Sequence, residues 1–361
     1  MDAKFYSCEE FEDLKNIWNQ LEIGEEMTAF QSYEWYNSLN KLIKRETRRN
    51  IFRECFYVVV YEGEKPVMIA PLQYVKVGIK YSFIGIKRGF YFIGRNGYTD
   101  YCNFIYKDFN EKAAETIFRE VSKKFKTNFF GLELVPENTS LSKYIQEEYT
   151  RHFTITGAAN LEFPDTFDEY HKNLSKNMRQ NIRTSFNRQN RDGIQFKYEM
   201  KYEPLSIEAR KILMEIRSGR VAAKRENFRK NASLKSKITN TYSNIVKSIF
   251  DVSHDIIFEN LNTWTFLVTK DDEIASFLWG IKDLTSKKHY VIYAGVDKKY
   301  EWYSPNNAYF YKYIEDLYNN GSVENGVIFD FTRGNEKYKF DLGCKERKCL
   351  NYNFRYTHQK Q

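Results

Sequence analysis

A strand that feeds a helix through a short polar turn, followed by a second strand ending in an acid and a basic-aromatic cluster, sets the frame for this chain. His289 to Val296 reads as the strand, Tyr303-Ser304-Pro305-Asn306-Asn307-Ala308 as the turn, and Asn306 to Asn319 as the helix. Apolar or aromatic residues at Ala308, Tyr311 and Ile314 to Leu317 give that helix a buried side. Such a turn presents backbone N–H groups and the positive helix end to an anion. The plainer reading is an ordinary N-cap at Ser304 with Pro305 at the first helical position. About one helix length downstream, Phe329-Asp330-Phe331 forms an apolar run that carries an acid, Gly334 marks a turn, and Lys337-Tyr338-Lys339 follows. The two pieces together suggest a site and not only a core.

The same plan occurs twice along the chain. Helices are expected at Cys8 to Leu21 and Tyr33 to Lys44. Phe56 to Tyr61 and Val67 to Tyr74 flank the turn residues Glu62-Gly63-Glu64-Lys65-Pro66 as a hairpin. Strands follow at Tyr81 to Ile86 and Tyr91 to Ile93, then a helix at Glu111 to Phe125, a strand at Phe129 to Leu134 and a helix near Ser140 to Glu148. After a strand near Ala159 to Phe163, helices are expected at Phe167 to Asn190, Ser206 to Ser218 and Ser233 to Ile249. A second hairpin, Trp264 to Thr269 and Glu273 to Ile281, turns at Lys270-Asp271-Asp272. The strand and helix described first come next, and then a strand at Val327 to Phe331. Helices, hairpin, strand, helix and strand in two rounds predict an α/β fold of two related domains, 1–152 and 153–361. No Pro/Gly/Ser-rich linker marks the boundary, so the domains are expected to be docked.

The chain's 361 residues are enough for two domains, and 42% apolar content is enough for their cores. Its longest apolar runs are strand-sized, far short of the roughly 20 residues that span a bilayer, and Met1-Asp2-Ala3-Lys4 does not open a signal sequence. A soluble cytoplasmic protein is expected. Cys8, Cys55, Cys102, Cys344 and Cys349 include no Cys-x-x-Cys pair, and the histidines are scattered, so neither a disulfide framework nor a metal site is indicated. A formal charge of +8 favours anionic partners without choosing among a phosphorylated cofactor, a sugar nucleotide, RNA or a membrane face. Basic residues cluster at Lys41 to Arg53, Lys176 to Arg191 and Arg217 to Lys230, each of which also reads as a solvated helix face.

The order strand, Ser-Pro turn, helix, Asp-Phe-x-Arg-Gly-x-x-x-Tyr-Lys resembles the GNAT-type acyltransferases of the cellulose-biosynthesis (CelD/BcsL-type) branch, relatives of the Fem peptidyltransferases. Tyr170-x-x-x-Leu174-Ser175-x-x-x-Arg179-x-x-Ile182-Arg183 is similar to that family's Leu-Ser-x-x-x-Arg helix start. Phe30-Gln31-Ser32-Tyr33-Glu34-Trp35 and Thr99-Asp100-Tyr101 are similar to its opening helix and its Asp-Tyr strand end. One departure is Asn306, which stands where such proteins usually have Gly and puts a side chain where bare backbone could meet a pyrophosphate. The resemblance implies tandem GNAT-like domains, each a mixed central sheet flanked by helices.

It also implies a donor, acetyl-CoA or another acyl-CoA, held in the second domain. The thioester would lie against Tyr293, Ala294 and Gly295, and the pyrophosphate at Ser304, Asn306 and Asn307. Arg333, Lys337 and Lys339 would stand near the phosphates. Asp330 is the candidate base and Tyr338 the candidate acid for direct transfer to an amine or hydroxyl. Arg179 and Arg183, four apart on one helix face, and Asp100 and Tyr101 would bind the acceptor, a sugar or sugar nucleotide for cell-surface polysaccharide. Each has a structural alternative: Asp330 pairing with Arg333 or capping the next turn, Arg179 and Arg183 on a basic surface helix, and Asp100 forming a turn. Two other functions stay open. One is a Fem-like aminoacyl-tRNA-dependent transferase, with the basic stretches on tRNA. The other is a non-catalytic tandem domain that binds nucleic acid or a partner.

Overall fold

The computed structural model describes residues 1–45, 53–76, 79–81, 84–94, 99–231, 261–283 and 287–357. The helix expected at Ser233 to Ile249 lies outside them. Contacts divide the chain into two units, one with Met1–Thr156 and Arg347–Gln361, the other with the described residues of Gly157–Ile238 and Leu261–Glu346.

In the first unit the strands run in the order β1 (Asp2–Ser7), β2 (Arg53–Glu62), β3 (Lys65–Val75), β6 (Gly89–Phe92), β7 (Phe129–Pro136) and β14 (Lys345–Arg355). β4 (Ile79–Tyr81) and β5 (Ile84–Ile86) make a separate short pair where one strand was expected. Gly63, at φ +62°, closes the β2–β3 hairpin. β6 and β7 run parallel, with Phe90 opposite Phe130. The helices are α1 (Lys15–Leu21), α2 (Tyr33–Arg45), α3 (Glu111–Phe125) and α4 (Ser140–Glu148). The aromatic residues prominent in the sequence fill the core: Phe11 stacks on Tyr33 at 4.9 Å, and Phe130 on Phe354 at 5.4 Å. Asn110 caps α3 by accepting from the Ala113 N–H at 3.1 Å. Beyond the end of β6 the chain re-enters the sheet. Cys102 N–H donates to Leu134 O at 2.8 Å, and Ile105 exchanges two 2.8 Å bonds with Ile69.

In the second unit the order is β8 (Phe153–Leu161), β13 (Ile328–Arg333), β12 (Lys288–Val296), β11 (Glu273–Lys282), β10 (Thr263–Lys270) and β9 (Lys197–Lys201). β12 and β13 run parallel, and β13 pairs antiparallel with β8. Asp271 and Asp272, both at positive φ, form the two-residue β10–β11 turn. The long helix expected from Phe167 breaks at Leu174-Ser175 into α5 (Phe167–Asn173) and α6 (Lys176–Asp192), because Ser175 caps the second piece through the Met178 N–H at 3.0 Å. α7 (Ile207–Asn231), α8 (Pro305–Asn319) and the short α9 (Lys337–Asp341) are the other helices among its described residues. Trp264, Phe266, Leu278, Phe310, Ile314 and Phe329 sit at the centre of its core.

Three strands were not anticipated: β1, β9 and β14. β14 opens with four charged residues in a row, Lys345 to Lys348, and pairs with β7 of the first unit. By its place in the chain β14 falls in 153–361, whereas its contacts put Arg347–Arg355 with the first unit.

Candidate active site at the β12–β13 junction

The parallel ladder between β12 and β13 runs from Lys288–Ile328 through His289–Phe329 and ends at Tyr290–Asp330. β12 continues to Val296 in register with β11, through a bulge opposite Trp279 and Gly280 that adds Ile292. The end of the parallel ladder leaves a notch in the pairing beside β12, next to Tyr293 to Gly295, the stretch expected to meet the thioester.

Asp330 stands on the last shared rung, 2% exposed, and its Oδ1 accepts from the Thr332 N–H at 2.8 Å. That bond holds Thr332 in the left-handed region at φ +55° and curls β13 out of line, while the Thr332 hydroxyl donates across to Val291 O at 3.1 Å. Asp330 thus caps the following turn, its structural alternative, at the last rung of the ladder. Gly334, at φ +108°, completes the curl. Tyr338 sets its ring edge-on to Phe331 at 6.4 Å. Cys344 is buried next to this cluster, and burial pushes its thiol up to about 12, with the Asp330 charge adding and Lys339 opposing. It stays protonated and is no thiolate nucleophile at neutral pH.

Lys339 differs from expectation. It is 4% exposed, and its ammonium donates to Phe331 O at 2.9 Å, Arg333 O at 2.7 Å and Gly334 O at 3.2 Å, with Glu336 at 3.0 Å. All its donor capacity goes into the curl, so it shapes the loop where a phosphate contact had been expected. Lys337 is exposed and pairs with Asp341 at 2.9 Å one turn on. Arg333 is half-buried at the end of β13.

At the other end of the notch, the turn Lys298–Tyr303 leads to Ser304 in a left-handed conformation, φ 44° and ψ 49°. Ser304 occupies the N-cap of α8, but its side chain makes no cap bond. Its carbonyl takes only the long 3.4 Å bond from the Ala308 N–H. The start of α8 thus lacks the side-chain oxygen that ordinarily satisfies its first amides. Asn306 lies within this first turn with a buried Oδ1 that has no partner among the described residues. Asn307 is half-buried beside it.

α6 braces the turn. Ser185 Oγ donates to Tyr303 O, Tyr303 OH donates to Asp192 at 3.0 Å, and Arg188 both donates to Trp302 O at 2.6 Å and lies over the Trp302 ring at 3.6 Å. Arg188 was not singled out in sequence. Its signal was the three- and four-residue spacing of Ser185, Arg188 and Asp192, which puts all three on one face. The expected pair on that helix is placed differently. Arg179 donates to the carbonyls of Lys172 at 2.9 Å and Leu174 at 2.8 Å, closing the C-terminal end of α5, and Arg183 is exposed. Asp100 and Tyr101 belong to the first unit, both buried, with Tyr101 O taking the Gln31 side-chain amide at 2.6 Å. The structure therefore groups Asp330, Tyr338, Arg333 and the Ser304–Asn307 turn within one unit, turns Lys339 and Arg179 inward, and sets Asp100 and Tyr101 in the other. Among the described residues no cluster of His, Cys, Asp and Glu is placed to hold a metal ion, and no helix is long and apolar enough to cross a membrane.

Residues 240–340, which take in β10 through most of α9, match the acetyltransferase (GNAT) domain family. No curated protein is significantly similar to the chain in sequence. The crystal structure of FemX superposes over 98% of this chain and 97% of its own, with a TM-score of 0.52 and 11% identity. The C-terminal domain of a putative lysylphosphatidylglycerol synthetase from Agrobacterium fabrum does so over 97% and 92%, at 0.51 and 12%. A tandem GNAT protein from the clavulanic acid biosynthesis pathway aligns over 99% and 100%, at 0.43 and 8%. The fold is α/β and GNAT-like, a mixed sheet flanked by helices in each unit. With the domain match, it supports an acyltransferase.

Proposed function

We propose that the second unit binds acyl-CoA in the β12–β13 notch and passes the acyl group directly to an amine or hydroxyl of a sugar precursor for cell-surface polysaccharide, as a GNAT-type enzyme of the CelD/BcsL-type branch. The observation that carries this reading is the ladder that stops at Tyr290–Asp330 while β12 runs on to Val296, followed by a helix start without a side-chain cap. In this reading the thioester lies along Tyr293, Ala294 and Gly295, and the pyrophosphate meets Ser304, Asn306, Asn307 and the start of α8. Arg333 and Lys337 stand near the phosphates. The acceptor attacks the thioester carbon, its proton passes to Asp330, and Tyr338 O–H returns a proton to the departing CoA thiolate. Acyl-CoA is a cytoplasmic donor, which places the reaction there.

The FemX-like fold along nearly the whole chain favours one second reading, a transferase that takes its acyl group from aminoacyl-tRNA. The thermal midpoint with acetyl-CoA, longer acyl-CoAs, free CoA and aminoacyl-tRNA separates the two. A donor at about 100 times its dissociation constant stabilises the fold by roughly 2.7 kcal/mol. A rise with CoA species supports the first reading. No rise with any of them, together with a salt-sensitive rise on tRNA, replaces it with the second.

A further inference from the structure

α7 descends onto the diverging part of β12, and the sequence has made room for it. A Cβ at Gly295 would come within 2.5 Å of the Phe277 ring and 3.0 Å of Ile216 Cγ2, so glycine is what lets Ile216 pack down against the strand. The next residue on the helix, Arg217, lays its guanidinium over the Tyr293 ring at 4.1 Å, and Trp279 packs tilted against the same ring at 5.7 Å. Arg217 is half-buried, and among the described residues no carboxylate lies within ion-pair distance of it. A guanidinium that sits over an aromatic ring spends its cation–π attraction on the ring and has N–H donors left for two oxygens of one anion. Tyr293 belongs to the stretch of β12 assigned to the thioester. Tyr293, its partner Trp279 and the Phe277–Gly295 pair next to them lie on the face of the sheet opposite to the one that Leu278 and Val291 present to α8.

We propose that Arg217 is the acceptor-reading residue: it binds a carboxylate or phosphate of the acceptor, so the preferred acceptor is an anionic amino sugar, such as a sugar phosphate or sugar nucleotide. This rests on the acyltransferase reading. Tyr293 holds the guanidinium over its ring, and the packing of Ile216 on Gly295 fixes its height along β12.

The test uses the full chain with acetyl-CoA as donor, UDP-glucosamine as the anionic probe and glucosamine as its uncharged-headgroup counterpart, following release of the CoA thiol. Wild type should favour UDP-glucosamine by tenfold or more in kcat/KM. Arg217→Gln should raise its KM about tenfold, with kcat within a factor of two and glucosamine kinetics unchanged. Arg217→Lys, which keeps the charge and loses the fork, should fall between them and guards against a folding defect in the first variant. Calorimetric binding of UDP-glucosamine without donor gives the same ranking independently of turnover. Unchanged KM and binding in Arg217→Gln overturn the proposal. So does an effect confined to acetyl-CoA affinity, or one confined to salt-sensitive tRNA binding. If acetyl-CoA itself fails to bind, the donor reading fails, and the UDP-glucosamine binding arm still decides the role of Arg217.

Discussion

Both units contain the same sequence of pairings: an antiparallel run, a parallel step and an antiparallel strand beyond it. In the first, the parallel step is β6 to β7; in the second it is β12 to β13. In the first unit β6 is only four residues long, and Cys102 and Ile105 take up the sheet bonds beyond it, with Phe104 wedged between Phe92 and Phe118 at 5.8 Å from each. In the second, β12 is nine residues long, bulged, and diverges from its partner. The helix that follows is capped by Asn110 in the first and has no side-chain cap in the second. One topology thus yields a sealed sheet or a notch, depending on whether the connecting segment re-enters the sheet or leaves it.

The sharpest way to break this comparison is through chemistry. Asp330→Asn keeps an oxygen for the Thr332 N–H and removes the base, and Tyr338→Phe removes the acid. Each should lower acyl transfer by about 10² to 10⁴-fold with acyl-CoA binding retained, measured as CoA thiol release. Turnover that survives both changes would mean that the notch is not where transfer occurs. Next in size is the curl. Lys339→Met leaves three carbonyls and Glu336 without their cation, and should cost roughly 2–4 kcal/mol in urea unfolding. A loss below about 1 kcal/mol would show that the loop does not depend on it.

A pH dependence specific to the second unit follows. Burial, with the Lys282 charge adding, lowers the His289 pKa from 6.5 to about 4. The folded pKa lies below the unfolded one, so the neutral ring is what the fold holds. The contribution is complete above pH 6.5 and decays as pH falls to about 4, a loss of up to about 3 kcal/mol. His289→Gln should flatten that slope in stability measured across pH 7 to 4. The smallest effects compare the helix caps: Asn110→Ala should cost about 1 kcal/mol, and Ser304→Ala no more than a few tenths. Equal costs would mean that the two helix starts are alike after all.

The regular parts of both units were readable because their signals are local. α3 has the expected bounds, Glu111 to Phe125, with Asn110 as its cap and Ala113 to Val121 on its buried side, and the β10–β11 hairpin turns within the expected Lys270-Asp271-Asp272. Asp330 stands at the end of the β12–β13 ladder and Ser304-Pro305 at the start of α8, positions that their apolar-run-and-acid and turn signals give locally. The three missed strands are half-exposed and partly charged, and take their conformation from neighbours distant in sequence, as β14 does from β7. The inward turns of Lys339 and Arg179 were equally hidden. A lysine next to an aromatic reads as solvated until the carbonyls that surround it are known, and those belong to a curl that exists only once Thr332 adopts positive φ. Arg217 had been read as one member of a basic run; only the approach of α7 to Gly295 separates it from the rest.

The membership of β14 in the first unit has a consequence for how the chain is made. Its Leu350 and Tyr352 pair with Val135 and Leu132, residues synthesised before any of the second unit. The first unit therefore emerges from the ribosome with β7 lacking its outer neighbour, and must wait for the whole second unit to be translated before that edge is covered. Such late, long-range closure slows folding and leaves a bare strand edge open to wrong pairings in the interval. The order of synthesis and the order of completion are reversed: the domain that begins first is finished last.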